Sequence, residues 1–400
     1  MSEADHIRRL AELAVRFGAN VQPGQIVVLS SEPGKEALAR AVADAAYEHG
    51  ALFVDLRVFD LYFKRARVLH ADPDTLSYVP PWWGEQVLAY GEHRCARIGL
   101  TGPADPHVMD GVDLELLGRD TLPRVREANE VLNARTTNWC LIPCPTPEWS
   151  RLVHPDLEPD DAHDRLWEEI AHVCRLDEPD PVAAWGQRLD RLTGLCAKLD
   201  ALRLDRLHFE GPGTDLAVGL LPGSRWHAAR LQTVDGIEHV PNIPTEEVFT
   251  TPDPTRTEGH VTSTKPLELT GTTITGLRVR FEQGEAVEID ADVGATALST
   301  LARQDDGGTR LGEVALVDRE SRIGQLGTIF YDTLLDENAA SHIALGQGLE
   351  FAVDGEESRH RVNSSTIHVD FMIGSDDVAV TGTATDGHEV PLLRGGEWQL

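Results

Sequence analysis

Apolar residues recur at helical spacing from the start of the chain. Ile7, Leu10, Leu13, Ala14 and Phe17 share one face of a helix over 4–18, which Gly18 can end. A short β-branched run at 25–30 then reads as a strand. Pro33-Gly34 opens an Ala-rich helix reaching Gly50, and 52–58 is a second strand. Strand, helix and strand in close order predict a βαβ unit with a parallel sheet. Further strands are expected at 97–100 and 139–142, with a helix over about 122–132 between them. The segment 61–83 mixes basic, aromatic and proline residues and reads as an irregular excursion over the sheet or as a lid or dimer contact.

Two more helices are expected near 162–175 and 182–202, separated by Asp177-Glu-Pro-Asp-Pro181. After Leu202 the periodicity changes to that of strands, at 206–210, 215–221, 274–281 and 286–289. Helices become scarce there, with candidates at 291–301 and 338–346. The expected organisation is an α/β N-terminal domain with a mostly parallel sheet over 1–203, followed by an α+β metal-binding domain over 204–400. A chain of 400 residues has room for two cores.

Composition narrows the class. Sixty-six acidic against 36 basic side chains give a formal net charge of −30, which repels phosphates and argues against a nucleic-acid partner. No apolar run is long enough for a membrane span, and the first residues lack the pattern of a secretory signal, so a cytoplasmic location is expected. The five cysteines lack CxxC spacing and read as buried, reduced thiols.

The candidate chemistry lies in four phrases of the last 160 residues. In Ser365–Gly374, His368 and Asp370 stand two apart in a β-branched context, so a strand points both to one face. Glu313 is a lone carboxylate in an apolar strand, and such a group needs a partner. Glu337 and His342 are five apart; on one continuous helix they diverge by about 140°. Their convergence therefore requires Glu337 to precede the helix expected at 338–346. Glu246 and Glu247 are adjacent, so an extended backbone offers only one of them to a given site. Four carboxylates (Glu247, Glu313, Glu337, Asp370) and two imidazoles (His342, His368) carry a formal charge that balances two divalent ions, a set suited to metal-assisted hydrolysis.

At these residues the sequence resembles the M29 family of thermophilic metallopeptidases, the group containing aminopeptidases T and S. The likeness covers essentially the whole chain and is densest in 242–250, Ser263-Thr-Lys-Pro-Leu267, 312–317, 333–346 and 368–374. It implies a homodimeric aminopeptidase that acts on short peptides with two divalent ions (Zn, Co, Mn or Mg) held by those six side chains. Lys265 is a weaker candidate for orienting substrate, and Glu246 for general base if the backbone turns it inward. One departure stands out. Family members carry a tyrosine seven residues after the histidine of the Asp-Glu-Asn phrase, and here that position is Leu349. An alternative expectation is therefore the same scaffold repurposed for another small-molecule amide hydrolysis or for a mononuclear-metal reaction.

Overall fold

The chain is described from a computed structural model, which covers residues 1–269 and 271–400. Its N-terminal half is built on a four-stranded parallel sheet. The strands are Ile26–Ser31, Phe53–Val58, Ala96–Thr101 and Asn138–Pro143, and Ile26–Ser31 and Ala96–Thr101 are the central pair. Strand order reverses between these two neighbours, and in such sheets the crevice beyond their carboxyl ends is where ligands bind.

Helices Glu3–Leu13, Glu36–Glu48, Pro159–Val173 and Pro181–Leu202 run through this half. The segment 61–83, expected as irregular, is mostly helical: Leu61–His70 is capped by Asp60, and Pro81–Glu92 begins at a proline suited to a first helical turn. Its mixed polarity had hidden the period, because only Lys64 and Val68 of the first helix are buried.

The second half is dominated by antiparallel sheets. An eight-stranded sheet runs from Glu285–Asp290 at one edge to Glu397–Trp398 at the other, with Leu204–Gly211, Thr214–Leu220 and Pro252–Thr262 among its strands. A five-stranded sheet orders His368–Met372, His342–Gly346, Leu311–Val317, Glu247–Thr250 and His227–Ala228. One continuous set of buried apolar side chains links the parallel sheet to both antiparallel ones.

The helix expected at 338–346 is absent. The helix lies earlier, over Thr333–Glu337, with Asp332 as its N-cap, and His342–Gly346 is a central strand paired on both sides. A five-residue apolar run fits either structure by pattern alone; here two neighbouring strands supply the hydrogen bonds that decide it. All five cysteines are free and buried. Burial pushes the Cys144 and Cys196 thiols up to about 12, which leaves them inert. No helix among the described residues is long and apolar enough to cross a membrane.

Candidate metal centre

The five-stranded sheet has two chemically distinct faces. Val248, Val314, Leu316, Ile343, Leu345, Val369 and Phe371 alternate onto one face and are buried in the core. Glu247, Glu313, His342, His368 and Asp370 alternate onto the other. The register sets Glu313 opposite Ala344, Ala344 opposite Asp370, and Ala315 opposite His342. The small side chains of Ala315, Ala344 and Gly346 thus lie between the charged ones and leave space above the sheet.

Glu313 is aimed by a bulge, since the pairing register shifts between Leu311 and Glu313. A Cβ at the intervening Gly312 would come within 2.2 Å of the Gln347 carbonyl oxygen, so only glycine fits there. Glu337, the last residue of its helix, joins the cluster from outside the sheet. The turn over 338–341 then brings the chain back so that His342 meets it. Convergence comes from that turn and not from a helix N-terminus as expected.

The six side chains form three overlapping groups: Glu247, Glu313 and His342; Glu313, His368 and Asp370; and Glu337, His342 and Asp370. Within each group the candidate ligand atoms lie within 4.8 Å of one another. Glu313 stands centrally, with Oε2 3.3 Å from His368 Nε2 and Oε1 3.9 Å from His342 Nε2. His342 Nε2 is 2.9 Å from Glu247 Oε2, and His368 Nε2 is 3.5 Å from Asp370 Oδ1.

Both imidazoles are oriented from behind. Nδ1 of His342 donates to the Ala340 carbonyl at 3.1 Å and Nδ1 of His368 to the Gln347 carbonyl at 2.8 Å. A carbonyl can only accept, so the proton sits on Nδ1 and Nε2 is directed at the carboxylates, the tautomer a metal requires.

Charge in the cluster is out of balance. Burial raises the pKa of Glu337 well above the usual carboxylate value, and the nearby Asp370 and Glu247 push it further. Burial also raises Glu313, with the neighbouring carboxylates adding and His368 opposing. Burial disfavours charge on His342, yet Glu247, Asp370 and Glu337 outweigh it and hold the ring's pKa well above normal. Glu247 Oε2, despite its proximity to His342, receives no well-aligned hydrogen bond. Buried carboxylates in excess, with an oxygen left over, are what a bound cation would satisfy.

Glu246 points the other way. Its carboxylate is fully buried between Arg188 Nε at 2.5 Å and Arg175 at 2.8 Å, while its backbone N–H donates to Asn338 Oδ1 at 2.6 Å. Arg188 also contacts Asp318 at 3.2 Å. Because both of its oxygens are held by guanidinium groups away from the cavity, the geometry counts against the general-base role expected of Glu246.

Lys265 likewise lies outside the cavity lining, where its charge opposes the rise that burial causes at Asp336. Arg175, Arg188 and Asn338, which fix the back of this site, were missed by the sequence reading. Arg188 comes from helix Pro181–Leu202 and Arg175 from the turn after helix Pro159–Val173, both far from the ligand phrases, and nothing in their spacing signals the meeting.

The cluster lines part of a cavity of about 680 Å³ walled by both halves of the chain. Leu132, Trp139, Phe249, Leu349 and Phe351 contribute apolar wall, and the carboxyl ends of the central parallel strands contribute Ser30, Ser31 and Gly99 to Pro103. Leu349, 8% exposed, packs with Phe249, Ala315 and Ala352. It places no hydroxyl near the carboxylates.

A sequence model described as thermophilic metalloprotease (M29) matches residues 3–398. Aminopeptidase T of Thermus aquaticus is 41% identical over 404 residues, covering 99% of each chain. Aminopeptidase 2 of Geobacillus stearothermophilus is 36% identical, over 98% of this chain and 97% of its own. The solved structure of wild-type AmpT from Thermus thermophilus superposes with a TM-score of 0.86 at 40% identity, covering 99% of both chains.

Proposed function

Because the chain belongs to the M29 family of thermophilic metalloproteases, we propose that it is an aminopeptidase that removes N-terminal residues from short peptides, using two divalent ions. As a member of that family it is a hydrolase of the metallopeptidase class. One observation carries the finer reading. Six ligand-type side chains, four of them carboxylates, converge in overlapping groups on the wall of one cavity. Overlapping groups that share Glu313, His342 and Asp370 suit two neighbouring ions better than one.

Bound there, divalent ions would polarise a scissile carbonyl and lower the pKa of a water. The residues do the rest. Phe249, Leu349 and Phe351 exclude water and offer an apolar surface to the first side chain. Asn242 Nδ2 and Asn338 Nδ2 approach Glu337 Oε1 at 3.4 Å each and hold that carboxylate toward the cluster.

The mononuclear alternative is not favoured, since it leaves the Glu247 and Glu337 carboxylates without a counter-ion. The division near 203 remains part of the proposal, supported by Arg203, whose left-handed backbone (φ 51°) ends helix Pro181–Leu202 just before the antiparallel sheet begins. Dimerisation also belongs to it, and the exposed apolar side chains of edge strand Phe53–Val58 support it. Hydrolysis of aminoacyl amides and dipeptides by metal-replete protein tests the reading. Release of N-terminal residues is expected, whereas cleavage only of N-blocked peptides would overturn it.

A further inference from the structure

The sheet face that carries the carboxylates also carries apolar positions in fixed register with them. Phe249 lies two residues beyond Glu247, and Ala315 two beyond Glu313, so each shares a face with its glutamate. Ala315 pairs with Phe249 on one side and with His342 on the other. Same-face neighbours along a strand stand roughly 6.5 Å apart. Phe249 and Ala315 therefore start an apolar surface one side-chain step from the ligand positions.

That surface is built up by packing. Leu349 packs with Phe249, Ala315 and Ala352, and Leu132 and Phe351 close against them. The rings of Phe249 and Phe351 meet edge to face, 6.4 Å between centroids. His227 packs on both, at 6.1 Å and 5.7 Å, and burial lowers its pKa, so it brings no charge near neutrality.

The surface is also held in place. The Leu349 N–H donates to Thr251 Oγ1 at 3.1 Å, and that hydroxyl donates to the Leu349 carbonyl at 3.0 Å. The N–H of Glu350 donates to Asn133 Oδ1 at 2.9 Å, which ties the segment to the N-terminal half. Leu132, Phe249, Leu349 and Phe351 line the same cavity as the carboxylates.

In a peptide cut after its first residue, the first side chain branches from the carbon between the terminal amine and the scissile carbonyl. With those two groups at the cluster, the side chain must rest on cavity wall directly beside it. An apolar wall favours an apolar side chain, and a polar one loses its water there without gaining a partner.

From this register, and resting on the aminopeptidase reading above, we propose that Phe249, Leu349 and Phe351 form the subsite for the substrate's first side chain and select peptides that begin with a large apolar residue. Leu349 sets the size of that subsite. Ala315 is fully buried in the same cluster, and truncating the leucine opens the subsite toward it.

The test compares dipeptides that differ only in a leucyl, asparaginyl, phenylalanyl or glycyl first residue, using wild type, Leu349→Ala and Phe351→Ser. The wild type is expected to prefer leucyl to the near-isosteric asparaginyl, and to glycyl, by about a hundredfold in kcat/KM. Leu349→Ala is expected to raise the ratio of phenylalanyl to leucyl by about tenfold, and Phe351→Ser to lower that of leucyl to asparaginyl by about tenfold. Ratios measured on one preparation do not depend on how much of it is folded. Calorimetry with the free amino acids adds a readout without turnover, in which L-leucine binds more tightly than L-asparagine and Phe351→Ser narrows the gap. Equal kcat/KM for leucyl and asparaginyl dipeptides in the wild type, or a uniform loss on all substrates in both variants, overturns the proposal. If no dipeptide is cleaved, the aminopeptidase reading fails on its own. The amino-acid binding then decides the subsite, upheld by tighter binding of leucine and overturned by equal binding.

Discussion

Two neighbouring carboxylates, Glu246 and Glu247, stand on opposite sides of one backbone and meet opposite electrostatic conditions. Behind the sheet, Glu246 and Asp318 face Arg175 and Arg188, so two anions meet two cations in a buried, balanced network. In front, four carboxylates face two imidazoles. The first arrangement is complete as it stands, and it holds the strand in place. The second is stable only with added positive charge. Charge balance, more than burial or residue type, separates the structural side from the chemical side.

The largest expected effect comes from breaking the unbalanced side at its centre. Glu313→Ala removes one of the two carboxylates, with Asp370, that belong to two of the three groups. Bound metal and peptide turnover are both expected to fall by more than about a hundredfold, beyond the loss typical of an outer-shell partner. Elemental analysis and steady-state kinetics measure the two together.

Breaking the balanced side acts on folding. Glu246→Ala leaves two guanidinium groups buried without their main partner and is expected to cost about 3–5 kcal/mol in denaturant unfolding. The six ligand side chains remain, so metal content of the folded fraction should persist.

Metal removal sharpens the contrast, because chelation should destabilise the wild type by restoring the charge excess. Glu337→Gln, which deletes one of those charges, is expected to shrink the chelator-induced fall in Tm while weakening metal binding. A subtler change is Asn338→Ala. It removes the acceptor of the Glu246 N–H and a donor to the Leu334 carbonyl, and should cost about 1–3 kcal/mol. The smallest change expected is in Leu349→Tyr. This variant adds a hydroxyl beside the cluster, and kcat on aminoacyl amides should rise severalfold with metal content unaltered.

Much of this contrast was legible before folding was known. The alternation around His368 and Asp370, the apolar run around Glu313 and the βαβ pattern up to residue 58 each follow from local periodicity. Local rules also said that Glu246 and Glu247 must diverge, but not which faced the site. That choice depends on Arg175 and Arg188, which are distant in sequence and become partners only by packing. The 342–346 segment failed for the same reason, since its strand character comes from the two strands that flank it.

The most direct measurement is the metal content of wild-type protein purified without chelator, set beside that of Glu246→Ala and Glu313→Ala. The account predicts about two divalent ions per chain in the wild type and in folded Glu246→Ala, and a loss of bound metal in Glu313→Ala. Equal metal content in wild type and Glu313→Ala would contradict it, as would loss of metal from Glu246→Ala alone.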